Sequence, residues 1–118
     1  MSFTDAVRNA MLDLIDESGS LACTHLSLHT ADPGTSGASE VTGGSYARQA
    51  ITWNAASAGQ KTIVETPVFQ IPGSTTITHF GLWSASSGGT FRFGKVLPNS
   101  QVYSSPGTYT ANSVTATV

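Results

Sequence analysis

The chain has 118 residues, of which 10% are charged where about 25% is usual, while Thr and Ser supply sixteen residues each and Gly twelve. That length suits one domain spanning 1–118 with a single modest core. Five Lys and Arg against seven Asp and Glu leave no basic stripe to neutralise phosphates, so direct binding of nucleic acid is not expected.

The N-terminal stretch MSFTDAVRNAMLDLIDE repeats apolar residues at helical spacing: Phe3, Val7, Ala10, Met11, Leu14 and Ile15. Asp5, Arg8, Asn9, Asp13, Asp16 and Glu17 occupy the other side. An amphipathic helix of about four turns is predicted over 4–17, with Ser2 or Thr4 as its cap and Gly19 as a left-handed terminator. Its apolar stripe is expected to close one side of the domain's own core, with docking on another subunit as the alternative. The acidic residues rule out a secretory signal, and no later segment approaches the ~20 apolar residues of a membrane span. Synthesis in the cytoplasm and no membrane association are therefore expected. Cys23, the one cysteine, excludes an internal disulfide framework and reads as a small buried residue.

From about residue 21 to 118 the pattern alternates. In CTHLSLHT, Leu26 and Leu28 share one face and His25, Ser27 and His29 the other. Further strands are predicted over Tyr46–Trp53, Lys61–Pro72 with an interruption at Pro67, Thr76–Ser84, Gly89–Val96 and Gly107–Val118. Links such as NAASAGQ, PGS, SASSGG and LPNS bound them, and SASSGG is the best hairpin turn. Six or seven short strands after one helix predict a mainly β fold: an antiparallel β-sandwich of jelly-roll or immunoglobulin-like kind, or an open barrel.

Between the first two strands, some fifteen residues from Ala31 to Ser45 are rich in Gly, Ser, Thr and Pro. Asp32-Pro33-Gly34 is a turn with a stated cause: Asp caps its own backbone, Pro fixes φ and Gly accepts positive φ. Gly43 and Gly44 lack the order and the lysine of a phosphate loop, and so serve backbone freedom. His25 and His29, four residues apart on a strand, stand about 13 Å from each other, too far to share a metal ion. No nucleophile elbow or carboxylate pair is present, so no catalytic residue, metal or cofactor is expected. Arg48 can pair bidentately with Glu40 as a local clamp, or with a neighbour's carboxylate. Trp83 and Phe91 are expected in the core.

The stretch LSLHTADPGTSGASEVTGGSYARQA, followed by THFGLWSASSGGTF, resembles a family of small virion proteins of tailed bacteriophages and prophages. The likeness runs from about Leu26 to Phe93 through L-H-T-A-D-P-G, G-x-S-Y-A-R-Q and H-F-G-L-W-S. It implies a non-enzymatic virion protein. Head decoration, cementing the major capsid protein as a homo-oligomer with a trimer favoured, is the leading reading. A minor tail, tail-fibre or tail-tip protein that meets host surfaces is the alternative. On either reading the long loop is expected to order on contact with neighbouring virion subunits through His29, Asp32, Pro33, Gly34, Glu40, Gly43, Gly44, Tyr46 and Arg48. As a surface loop it is also expected to tolerate deletion of Thr35–Glu40.

Overall fold

The computed structural model describes residues 2–112 and 114–117, so Ser113 and Val118 of the predicted last strand lie outside the described residues. The elements are α1 (Asp5–Leu12), a 3-10 turn (Asp13–Ile15), β1 (His25–His29), β2 (Gln49–Ala50), β3 (Gln60–Thr62), β4 (Val68–Ile71), β5 (Thr75–Trp83), β6 (Phe91–Tyr103), β7 (Gly107–Thr110) and β8 (Thr115–Thr117). The expected mainly β architecture is present, with antiparallel pairing throughout. A four-stranded sheet runs in the order β2-β1-β5-β6, and β3 with β8 and β4 with β7 form two-stranded sheets. Leu26 and Leu28 stand opposite Leu82 and Phe80 across β1 and β5. These four, with Ile77, pack in one cluster with Phe69 and Ile71 of β4, Ile63, Leu97 and Val114. The large sheet thus lays one face on the smaller pairs as a sandwich, open rather than closed into a barrel.

Several predicted boundaries move. The helix makes two turns instead of four. Thr4 caps it, its hydroxyl accepting from the Val7 amide at 3.3 Å. It stops early because the chain folds back: the Leu14 carbonyl accepts from the Leu21 amide at 2.9 Å and that of Ile15 from Cys23 at 3.0 Å, in place of the next helical donors. Gly19 is not left-handed. It is needed because a Cβ there would lie 2.1 Å from the Leu14 carbonyl oxygen. Tyr46–Trp53 contributes only the two residues of β2 and an isolated bridge from Trp53 to Ile63. Gly107–Thr110 and Thr115–Thr117 enter different sheets rather than one strand. LPNS does not end a strand: β6 continues through it, with four residues from Leu97 to Ser100 bulging opposite Thr78.

Of the predicted apolar stripe, Ile15 packs against the core, but the rest does not close it. Leu12, outside the predicted stripe, is the helix residue that is buried, whereas Phe3, Val7, Met11 and Leu14 are 38–45% exposed. The helix instead meets the β domain through polar groups. The Lys61 ammonium, fully covered, donates to Asp13 at 3.1 Å and lies 2.9 Å from Asp16. Loss of hydration alone would lower the lysine's pKa, but hydrogen bonds to Asp16 and Asp13 outweigh it and hold the pKa above the usual value. Cys23 is wholly buried, and desolvation pushes its thiol up to about 11, so it is inert at neutral pH.

Candidate functional site

The second face of the large sheet carries the residues on which the loop sits. Alternation along β1 sends Ser27 and His29 to this side, opposite Gly81 and His79 of β5, and both are fully buried. A chain of hydrogen bonds crosses them. The Trp83 indole donates to the Ser27 hydroxyl at 2.8 Å, which lies 2.7 Å from Nε2 of His29, and Nδ1 of His29 lies 2.8 Å from the carbonyl of Ala38. A carbonyl only accepts, so Nδ1 carries the proton and Nε2 accepts from Ser27. Phe91 closes this layer with edge-on contacts to Trp83 at 5.2 Å and to His29 at 6.0 Å. Gly81 permits the arrangement: a Cβ there would fall within 2.8 Å of His29, Ser27 and Phe91.

The loop from Ala31 to Ser45 is the lid of this layer and has structure of its own. Asp32 accepts from the Gly34 amide at 2.9 Å, the predicted turn, and the Pro33 carbonyl accepts from Gly37 and Ala38 at 3.0 and 3.1 Å. The Thr30 amide donates to Ser39 and the Val41 amide to Leu28, both at 2.9 Å. Pro33, Gly37 and Val41 are buried. Gly37, at φ +78°, lets the chain approach Trp83 so closely that a Cβ would stand 2.5 Å from the ring. The loop is therefore docked on its own sheet and does not await a partner to order it. His29 and Pro33, expected at a contact surface, are inside.

Arg48 and Tyr46 fasten the lid. The Arg48 guanidinium grips Glu40 with two bonds of 3.0 and 2.9 Å and donates to the carbonyls of Ala85 and Gly88 in the β5–β6 hairpin at 3.1 and 2.9 Å. It lies 3.6 Å above the Trp83 ring centroid. One planar cation thus joins the loop, the hairpin and β5, which is the local clamp that the sequence allows. The Tyr46 hydroxyl donates to Glu40 at 2.9 Å and accepts from the Leu28 amide at 3.0 Å, satisfying an edge donor of β1 beyond the end of β2. Desolvation foremost raises the tyrosine's pKa, so it stays a donor.

Of the predicted residues, Asp32, Gly34, Gly43 and Gly44 face solvent, Glu40, Tyr46 and Arg48 are half-buried, and His29 and Pro33 support from beneath. A shallow depression of about 400 Å³ lies above the clamp, bounded by Thr42, Gly43, Tyr46 and Gly88. Sequence reasoning missed Ser27, Gly37 and Gly81 as parts of this layer. A signal existed in Gly81: a glycine inside the aromatic strand HFGLW marks close approach of another group.

Burial, the largest influence, lowers the pKa of His29, as it does for His25 beside Arg48. Folding therefore favours the neutral rings, and the unfolded chain binds more protons below about pH 6.5. Stability should be complete above that value and fall as the pH drops through it. Thermal unfolding of the wild type should shift downward between pH 7.5 and 5. In His29→Gln the starting stability should be lower and the pH-dependent drop smaller, with His25 supplying the remainder. An unchanged slope in the variant would show that His29 does not titrate with folding.

A family model described as podophage GP4 fiber I protein gp80 matches residues 2–118. No curated protein matches the chain. With the match covering nearly the whole sequence, the chain belongs to the podophage fiber I protein family.

Proposed function

We propose, proceeding from that membership, that this protein is a structural, non-catalytic subunit of a podophage fibre at the tail, and not a decoration of the head. The observation that carries this is the family match over residues 2–118, which extends the likeness in the motifs to the helix and the last strands and whose description names a fibre. The geometry suits a subunit of a particle. The polar groups around Trp83 are used in holding the loop to the sheet: His29 on Ala38, Arg48 on Glu40 and the hairpin, Tyr46 on Glu40 and β1. What such a clamp presents outward is backbone with small side chains, at Gly34 to Ser36 and from Thr42 to Ser45, beside the Asp32 carboxylate. We assign this outward side to contact with neighbouring virion subunits, because a preorganised surface loses little entropy on binding.

Copy number and position test the reading. Quantitative mass spectrometry of purified particles should find a few to a few dozen copies per virion, and antibodies against the protein should label fibres at the tail. Hundreds of copies, with label over the head, would overturn it in favour of decoration.

A further inference from the structure

The two edges of the four-stranded sheet are finished differently. At one of them β2 covers the start of β1, and past the end of β2 the Leu28 amide donates to the Tyr46 hydroxyl while the Leu28 carbonyl accepts from Val41. At the other edge β6, thirteen residues long, pairs with β5 alone. Among the described residues, no backbone group of β6 bonds to any other segment. A bare strand edge is a template for another strand, and proteins ordinarily keep such edges short. The bulge at Leu97–Ser100, where Pro98 has no amide to donate, leaves Phe91–Val96 as the longer paired part.

Two further observations lie on that part. The sandwich is open beside it: a cavity of about 420 Å³ is walled by Phe80, Lys95, Leu97 and Pro98 from the large sheet and by Thr115 of β8. Lys95, opposite Phe80 on the core side, stands at its mouth. Arg92 and Lys95 are also the two cationic side chains that meet no carboxylate among the described residues, since Arg8, Arg48 and Lys61 each have one. Nε of Arg92 is buried without a hydrogen-bond partner.

We propose that the outer edge of β6 from Phe91 to Val96 takes up an extended, acidic segment of a different protein of the particle, paired as a fifth strand. The unbonded backbone selects an extended chain, because only a strand offers donors and acceptors at the matching repeat. Alternation along that strand lowers an apolar side chain into the cavity beside Leu97, and its carboxylates meet Arg92 and Lys95. A second copy of β6 does not fit, since two copies would bring four cations and no acid into one ladder. That the strand belongs to a particle protein rests on the structural-subunit reading.

Lys95 makes the test specific, because the chain's other lysine, Lys61, is fully covered. Acetylation of Lys95 and amide hydrogen exchange over 91–96 are compared between purified particles and the purified full chain. Both should slow roughly tenfold or more in particles. Carbodiimide, which joins an amine to a carboxylate it touches, should couple Lys95 to an Asp or Glu of another particle protein. Lys95→Glu should lower the copies per particle roughly tenfold while leaving thermal unfolding of the free chain within ~0.5 kcal/mol of wild type, as for a surface substitution; Lys95→Arg should restore the copies. Protein present in particles with Lys95 and the 91–96 amides as open as in the free chain would overturn this inference alone, and so would coupling of Lys95 to a second copy. Absence of the protein from particles would overturn the structural-subunit reading and this inference with it.

Discussion

Arg48→Ala will lose about 2–4 kcal/mol of folding stability, read as the shift of the urea midpoint at pH 7.5. Removing one partner of a fully buried ion pair costs ~3–5 kcal/mol, because the other charge stays behind without compensation. Here the Arg48 side chain is 9% exposed but that of Glu40 is 20%, so water recovers part of the carboxylate's solvation and the figure falls below the full range. Loss of the contact with Trp83 adds to it, and the carbonyls of Ala85 and Gly88 lose their donor. Arg48→Lys should recover only part of the loss: an ammonium keeps the charge, yet it cannot fork onto Glu40, reach two hairpin carbonyls and stack on an indole together. A double-mutant cycle with Glu40→Gln should give a coupling above ~1 kcal/mol. A loss under ~0.5 kcal/mol for Arg48→Ala would mean that the guanidinium merely decorates the rim and that the lid is held by other contacts.

Deleting Thr35–Glu40 and joining the ends with Gly should unfold the β domain rather than leave it intact, contrary to what loop length and composition suggest. The excision removes the counter-ion of Arg48, the carbonyl that accepts the hydrogen bond of His29, and the backbone that covers Trp83. Buried polar groups left without partners cost ~1–3 kcal/mol each, and a domain of this size has only ~5–15 kcal/mol in total. Gly37→Ala is the graded form. Its Cβ meets the Trp83 ring at 2.5 Å, and Phe91 and Arg48 hold the ring from moving. Overpacking of ~1–3 kcal/mol and the left-handed backbone cost of ~1–2 kcal/mol predict a loss of about 2–5 kcal/mol. Gly34→Ala is the control: φ is +59°, but nothing lies within 4 Å of the added carbon, so only the conformational part, about 1 kcal/mol, is expected. Equal losses in the two variants would show that packing against Trp83 contributes nothing.

The turn at Asp32-Pro33-Gly34, the cap at Thr4 and the hairpin at SASSGG were all legible, because each depends on atoms within a few residues of one another. Strand extent was less so. Tyr46–Trp53 alternates like a strand, yet Tyr46 reaches Leu28 and Glu40 while Arg48 turns to the hairpin, and only Gln49 and Ala50 remain to pair with β1. The helix reads as four turns because its period persists to Ile15, but the fold-back onto the carbonyls of Leu14 and Ile15 cuts it to two. The bulge from Leu97 to Ser100 has the composition of a turn, and pairing with β5 on either side keeps it within one strand.

What the sequence determined by itself was periodicity and local chemistry: a helix, then alternation; a neutral polar surface; a bidentate cation and a carboxylate in reach of each other. Periodicity states which side chains share a face, but not which face finds cover. That depends on contacts between residues tens of positions apart, and those only the tertiary structure decided. It turned the apolar side of the helix outward by giving the polar side Lys61 and Gly59. It buried both faces of β1 by laying the loop over Ser27 and His29. It set Arg48 on Trp83, thirty-five residues later, where a charge, a ring and three segments of chain meet at distances no local pattern encodes.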